Sequence, residues 1–249
     1  MLITPCLCVV LLVGQNDGMH PQLHRVRHHA LIRLLPLLLR PAGGSLVRLG
    51  TSYGGWWVPV SKLEAGRVAY CAGAGEDISF DLALHERGLQ VFVFDPTPRA
   101  IDHVGRHGPV SNTFTFLPIG WWSESTTLRF FAPRNEAHVS HSVVNLQETD
   151  RYFEAEVCTV AEAMRDLSHA GIDILKMDIE GAEFAVLQSL MRDAVYPGVL
   201  CVEFDQPCSV RRIVAAVRSL SGYGYALRHI DVWNYTFERR SSQKNGSAR

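Results

Sequence analysis

The sequence predicts an α/β fold in which a mostly parallel, seven-stranded sheet ends in an antiparallel hairpin and carries helices on both faces. Three observations lead there. Five short apolar runs of strand type alternate with helical segments between residues 67 and 220, a pattern that demands parallel strands covered on both sides. Two further strand-like runs, Tyr225–Ile230 and Tyr235–Arg239, flank Asp231-Val232-Trp233-Asn234 and read as a closing hairpin. The 249 residues are 47% hydrophobic and 20% charged, the balance of one ordinary folded domain.

Taken in order, residues 1–40 read as an N-terminal extension, 41–240 as the α/β domain and 241–249, SSQKNGSAR, as a polar tail that frays. In the extension, Leu2–Val13 is apolar but lacks a basic start and a small-residue cleavage pattern, contains Pro5, and falls short of the ~20 residues that span a bilayer. It reads as a buried strand or packing segment rather than a signal or anchor. His24 and His28 share a helical face in a histidine-rich stretch, yet no carboxylate or cysteine nearby completes a metal site. Pro36 interrupts the apolar run 31–39, so a short or kinked helix is expected there. Strands at Val47–Leu49 and Trp56–Val60 are joined by a turn containing Tyr53-Gly54-Gly55. The alternating series then sets strands at Arg67–Ala72, Gln90–Phe94, Phe114–Ile119, Ile172–Met177 and Gly198–Phe204. Helices fall at Asp77–Arg87, Pro98–His107, Val160–Ala170, Ala182–Asp193 and Ser209–Leu220, with extra strands at Thr126–Phe131 and Glu154–Val160. Five βα units followed by a hairpin match the Rossmann-like methyltransferase sheet. A dinucleotide dehydrogenase more often continues with a sixth parallel strand.

Charge and cysteine usage narrow the partners. A net charge of −1 and a pI near 6.8 give no global field to gather nucleic acid or anionic lipid, so neither nucleic acid nor stable membrane insertion is expected. Cys71, Cys158 and Cys201 each lie in apolar strand-like runs and no CxxC spacing occurs. The thiols read as small buried hydrophobes in a reducing, cytoplasmic setting.

The residues that carry chemistry gather at strand ends. Strand 68–72 runs into Gly73-Ala74-Gly75, where two missing Cβ atoms let the backbone turn sharply and approach a ligand. Ile78 stands where a third glycine would complete a dinucleotide fingerprint. Glu76 and Asp77 would repel a pyrophosphate but suit a sulfonium and an amino group; Asp77 reads equally as a helix cap. Asp95-Pro96 ends the next strand 20–22 residues beyond the glycine turn, the place where a carboxylate grips a ribose diol. Asp178, Glu180 and Glu183 follow the strand 172–177 around Gly181, and acids outside the carboxyl end of a parallel strand face the ligand crevice.

That last stretch, ILKMDIEGAEFAVL, resembles the fourth-strand signature of the FkbM-type methyltransferase family. Other pieces resemble the family in the same order: LVRLGTSYGGWWVP its N-terminal hairpin, VFVFDPTP its second strand, FLPIGWWSESTTLRFF its third strand and the hairpin after it. HVSHSVVN resembles its serine-containing loop, TVAEAMRDL its threonine-led helix and CVEFD its fifth strand, so the resemblance spans about residues 46 to 206. The resemblance implies S-adenosylmethionine as cofactor, held by Gly73, Ala74, Gly75, Glu76, Asp77, Asp95, Pro96 and Asp178. It implies methylation of an oxygen on a small-molecule or glycan acceptor. Asp178 would lie nearest the reacting end, His141 of the Ser140-His141-Ser142 loop would serve as base, and Glu180 would meet the acceptor or cap the helix. Two departures stand out: Cys71 where family members carry an acid, and Asp77 where they carry a glycine. No metal is required, although Asp178, Glu180 and Glu203 form an oxygen set that magnesium would accept. A non-catalytic module with a degenerate pocket and an NAD-dependent oxidoreductase are the rival readings, and a homodimer is a further possibility, the first 40 residues serving dimerisation or docking.

Overall fold

The computed structural model describes residues 35–132, 142–143, 149–204 and 208–240. An antiparallel hairpin comes first, β1 (Leu46–Leu49) against β2 (Trp56–Pro59). The main series follows as β3 (Val68–Ala72), α1 (Ser79–His85), β4 (Gln90–Phe94), α2 (Pro98–His107) and β5 (Phe114–Leu117). A small insertion supplies β6 (Gly120–Trp121), β7 (Thr126–Phe131) and β8 (Tyr152–Cys158). The series resumes with α3 (Val160–Asp166), β9 (Ile174–Met177), α4 (Glu183–Arg192), β10 (Val199–Glu203), α5 (Val210–Gly222), β11 (Tyr225–Asp231) and β12 (Asn234–Arg239).

Seven strands pair in the order β11-β12-β10-β9-β3-β4-β5. Strands β3, β4, β5, β9 and β10 run parallel, and β12 enters antiparallel between β10 and β11. This is the Rossmann-like methyltransferase architecture. The chain winds outward from β3 through β4 to β5, then returns to pair β9 on the other side of β3, so its direction reverses between β3 and β9. In open α/β sheets such a reversal opens the crevice in which ligands bind.

Side chains of the central strands alternate between two cores. Tyr70, Leu175, Met177, Leu200 and Val202 face a core shared with α3, α4 and α5. Ala69, Cys71, Ile174, Val199 and Cys201 face one shared with α1, α2 and the β1–β2 hairpin. Period-two alternation of apolar residues on both faces is what a doubly covered strand requires. The hairpin is held on the second face by the Thr236 hydroxyl, which donates to the carbonyl of Trp57 at 2.6 Å.

The expected extra strands do not extend the main sheet. They form a separate sheet in the order β6-β8-β7, because the strand expected over Phe114–Ile119 ends at Leu117 and its continuation, Gly120–Trp121, pairs with β8 instead. The helix expected from Asp77 starts at Ser79, since Asp77 is occupied elsewhere. Residues 35–39 are helical, with Pro36 inside the stretch; the apolar run 2–13 and the histidines at 24 and 28 lie outside the described residues. Among the described residues no helix is long and apolar enough to cross a membrane.

Candidate active site

A cleft of about 330 Å³ opens at the carboxyl ends of the strands, at the β3/β9 reversal. Its floor is a backbone contact. Gly73 has φ +83°, and a Cβ built there would run into the carbonyl oxygen of Asp178. Glycine is therefore required twice over, for its left-handed backbone and for the approach of β3 to β9. Gly75 also has positive φ, at +50°, but a Cβ built on it would meet nothing within 4 Å. The space above Gly75 is open cleft.

Asp95 braces this turn. Its Oδ2 accepts from the N–H of Ala74 (2.9 Å) and of Gly75 (3.0 Å), and its Oδ1 accepts from the N–H (2.8 Å) and the hydroxyl (2.7 Å) of Thr97. Four bonds fill the lone-pair capacity of a carboxylate. The acid that the sequence offers to a ribose diol thus also shapes the glycine turn, and it lines the cleft with Pro96 beside it.

Asp77 also has partners of its own. It accepts from the Thr51 hydroxyl, from the N–H of Gly54 at 3.2 Å and from the N–H of Ser79 at 2.8 Å. Burial works to raise its pKa, but the bonds from Ser79, Thr51 and Gly54 outweigh it and hold the carboxyl below the ordinary range. The residue thus bonds the first residue of α1, whose N-cap position is held by Ile78, and clasps the β1–β2 turn, while still lining the cleft. Glu76 lines it too, half-exposed and 3.7 Å from Arg99.

Across the cleft, Asp178 and Glu180 line the wall on the β9 side. Their loop is fixed by Glu183, whose buried carboxylate accepts from the N–H of Ile179 at 3.0 Å and of Gly181 at 3.0 and 3.3 Å. Burial lifts the Glu183 pKa to about 7 in spite of those bonds. Glu180 adopts φ +51°, and its carbonyl accepts from the Ser142 hydroxyl at 2.5 Å. Ser142 also pairs with Phe131, and its neighbour Val143 lines the cleft. His141 lies outside the described residues.

Further residues line the cleft that the strand-end motifs do not single out. Tyr53 arrives on the β1–β2 turn, largely exposed; what burial it has, then the charges of Asp178, Glu180, Glu203 and Asp77, raise its pKa. Trp56, Trp121, Phe130, Lys176 and Asn234 complete much of the wall. Trp121 is buried and its indole Nε1 has no hydrogen-bond partner. Only the folding of the hairpin and of the insertion onto the strand ends brings Tyr53, Trp56 and Trp121 here. Lys176 carried a readable signal, a charged residue inside an apolar strand. Cys71 lies in the core beneath the turn, and burial raises its thiol pKa well above the usual value. Among the described residues no three His, Cys, Asp or Glu side chains gather as a metal site would need.

The methyltransferase FkbM domain model matches residues 63–225, about two thirds of the chain. The chain belongs to the FkbM methyltransferase family. The match runs from the residues before β3 to the start of β11, so it takes in the glycine turn, Asp95 and the Asp178–Glu183 loop on one family framework. No curated protein matches the chain. A solved structure from Pyrococcus horikoshii, provisionally described as an RNA methyltransferase, is similar over 98% of this chain and 100% of that one. Its identity is 12% and its TM-score 0.39, a likeness too slight to bear on fold or substrate.

Proposed function

We propose that this FkbM-family chain is a cytoplasmic S-adenosylmethionine-dependent methyltransferase that transfers the methyl group to an oxygen of a small molecule or sugar. One observation carries the reading: Gly73 and Asp178 meet in a single cleft at the sheet's reversal point, and the described ionisable groups of its wall are mostly acids. Glu76, Asp77, Asp95, Asp178, Glu180 and Glu203 face one cation, Lys176. A sulfonium donor with an amino group is cationic, and such a wall favours it over a pyrophosphate-bearing dinucleotide. The open space over Gly75 fits a ligand that lies close to backbone.

When bound, S-adenosylmethionine supplies an electrophilic methyl group on a neutral leaving thioether. The chain has then to align and to manage one proton. Gly73, Ala74 and Gly75 offer a backbone surface that Asp95 keeps in shape, and Asp178 stands at the adjoining strand end, where a cationic amino group would be held. Glu203 and Asn234, register partners on β10 and β12, line the cleft with Tyr53 and suit a hydroxylated acceptor. Alignment of two reactants is worth up to about 7–11 kcal/mol, and a base for the acceptor hydroxyl a further ~10²–10⁴-fold. Glu180 is the candidate base on the wall. His141 is the other, as the sequence neighbour of Ser142, which is anchored on the Glu180 carbonyl. Among the described residues, Cys71, Cys158, Cys201 and Cys208 are buried and free, in keeping with a reducing compartment.

The fully bonded Asp95 favours one other reading, a pocket that holds the cofactor without turnover. Calorimetric titration with S-adenosylmethionine, S-adenosylhomocysteine and NAD is expected to give binding of the two sulfur compounds and none of NAD. Absence of binding by both sulfur compounds would overturn the proposal; binding with no methyl transfer to any hydroxylated acceptor would favour the non-catalytic pocket.

A further inference from the structure

Lys176 is an unusual residue for the middle of a sheet. It lies on β9 between Cys71 of β3 and Cys201 of β10 in the strand register, and its side chain is 5% exposed. The two flanking cysteines are small enough to leave room for its stem. Two residues of strand, about 6.6 Å, separate it from Asp178, a span that a four-carbon stem covers. Its ammonium donates to the carbonyl of Gly73 and stands 3.7 Å from Oδ2 of Asp178. Behind it, α1 contributes Asp81, which is buried, lies against the Cys71 thiol and keeps one carboxylate oxygen without a hydrogen-bond partner. Burial lowers the Lys176 pKa, but Asp178, Asp81, Cys71 and Glu203 together raise it further, so the ammonium stays charged. Burial raises the pKa of Asp81.

A buried lysine is costly unless its charge is compensated, and plain core packing would be served by an apolar residue of the same length. What Lys176 adds is a tie between the two halves of the cleft floor. One charged group bonds the turn carbonyl on β3 and attracts the acid on β9, and Asp81 balances it from beneath. We infer that Lys176 is a positioning residue for methyl transfer, fixing the Gly73 turn and the Asp178 carboxylate at the separation the sulfonium donor requires. The inference rests on the proposed use of that donor.

The probe is S-adenosylhomocysteine. Lys176→Met alone leaves Asp81 buried without its cation and is expected to destabilise the fold, so the informative protein is Lys176→Met with Asp81→Asn, which removes both buried charges. If Lys176 serves stability alone, the double variant regains both its melting temperature and wild-type affinity within threefold, and that result overturns the inference. If it positions the site, the double variant melts near the wild type yet binds S-adenosylhomocysteine at least tenfold more weakly. A second measurement needs no variant. The chain has three lysines, Lys62, Lys176 and Lys244, so in ¹⁵N-lysine-labelled protein the slowly exchanging ammonium signal belongs to Lys176. That signal is expected to shift on ligand addition, and an unchanged signal on saturation overturns the inference. Failure of the wild type itself to bind would instead sink the sulfonium-donor reading.

Discussion

Gly73 and Gly75 sit two residues apart in one turn and both have positive φ, yet their substitutions are expected to fail in different ways. At Gly73 an added methyl collides with Asp178 backbone across two central strands, which neither strand can yield without breaking the ladder. Gly73→Ala is therefore expected to lower the melting temperature by many degrees, or to abolish folding, as a clash at a special backbone position does. At Gly75 the methyl enters open cleft. Gly75→Ala is expected to cost about 1–2 kcal/mol for its left-handed backbone while weakening S-adenosylhomocysteine binding, read by thermal melts and calorimetry on the same protein. Glu183 makes a different kind of demand. Its folded pKa of about 7 exceeds the ordinary 4.5, so between those values the folded chain holds a proton that the unfolded chain has released. Its contribution to stability is full below about pH 4.5 and is lost as pH rises to about 7, by at most about 3 kcal/mol. Urea melts at pH 5 and 7.5 are expected to show that loss in the wild type and a smaller one in Glu183→Gln.

Among the elements, the β1–β2 hairpin contributes most beyond its size. It reaches the cleft because Thr51 clasps Asp77 and because Thr236 holds Trp57. Thr51→Val removes the clasp, leaves Asp77 with fewer donors and so raises the Asp77 pKa. Hydrogen exchange at residues 51–55 is expected to quicken while the central strands keep their protection, a change of about 1 kcal/mol or less in global stability. The helix α3 offers a contrast, since none of its residues lines the cleft. Thr159 accepts from the N–H of Glu162, whose carboxylate in turn accepts from the N–H of Thr159, a reciprocal cap. Thr159→Ala is expected to cost about 1 kcal/mol and to leave ligand affinity untouched.

At the scale of the molecule, the βα series, its closing hairpin and its two-sided covering are readable because apolar alternation and strand ends are local properties of the chain. The glycine turn, Asp95 and the Asp178–Glu183 loop could be located for the same reason. What could not be read was who occupies whom. Asp95 and Asp77 line the cleft as expected of strand-end acids, but their partners Thr97 and Thr51 carry no motif. Tyr53, Trp56 and Trp121 enter the wall from segments whose docking is a tertiary event. The placement of β7 and β8 in a sheet of their own also depended on where the chain after β5 found a partner, which no periodicity encodes.

The hairpin clasp has a thermodynamic corollary. Because Asp77 belongs to the cleft wall and to the clasp alike, and Tyr53 of the wall donates its N–H to the clasping Thr51 hydroxyl, occupancy of the cleft and closure of the turn are linked functions, and linkage is reciprocal. A protease that cuts residues 51–55 only in their released state becomes a gauge of ligation. Whatever factor a saturating ligand takes off the cleavage rate, release of the turn takes off the ligand's affinity.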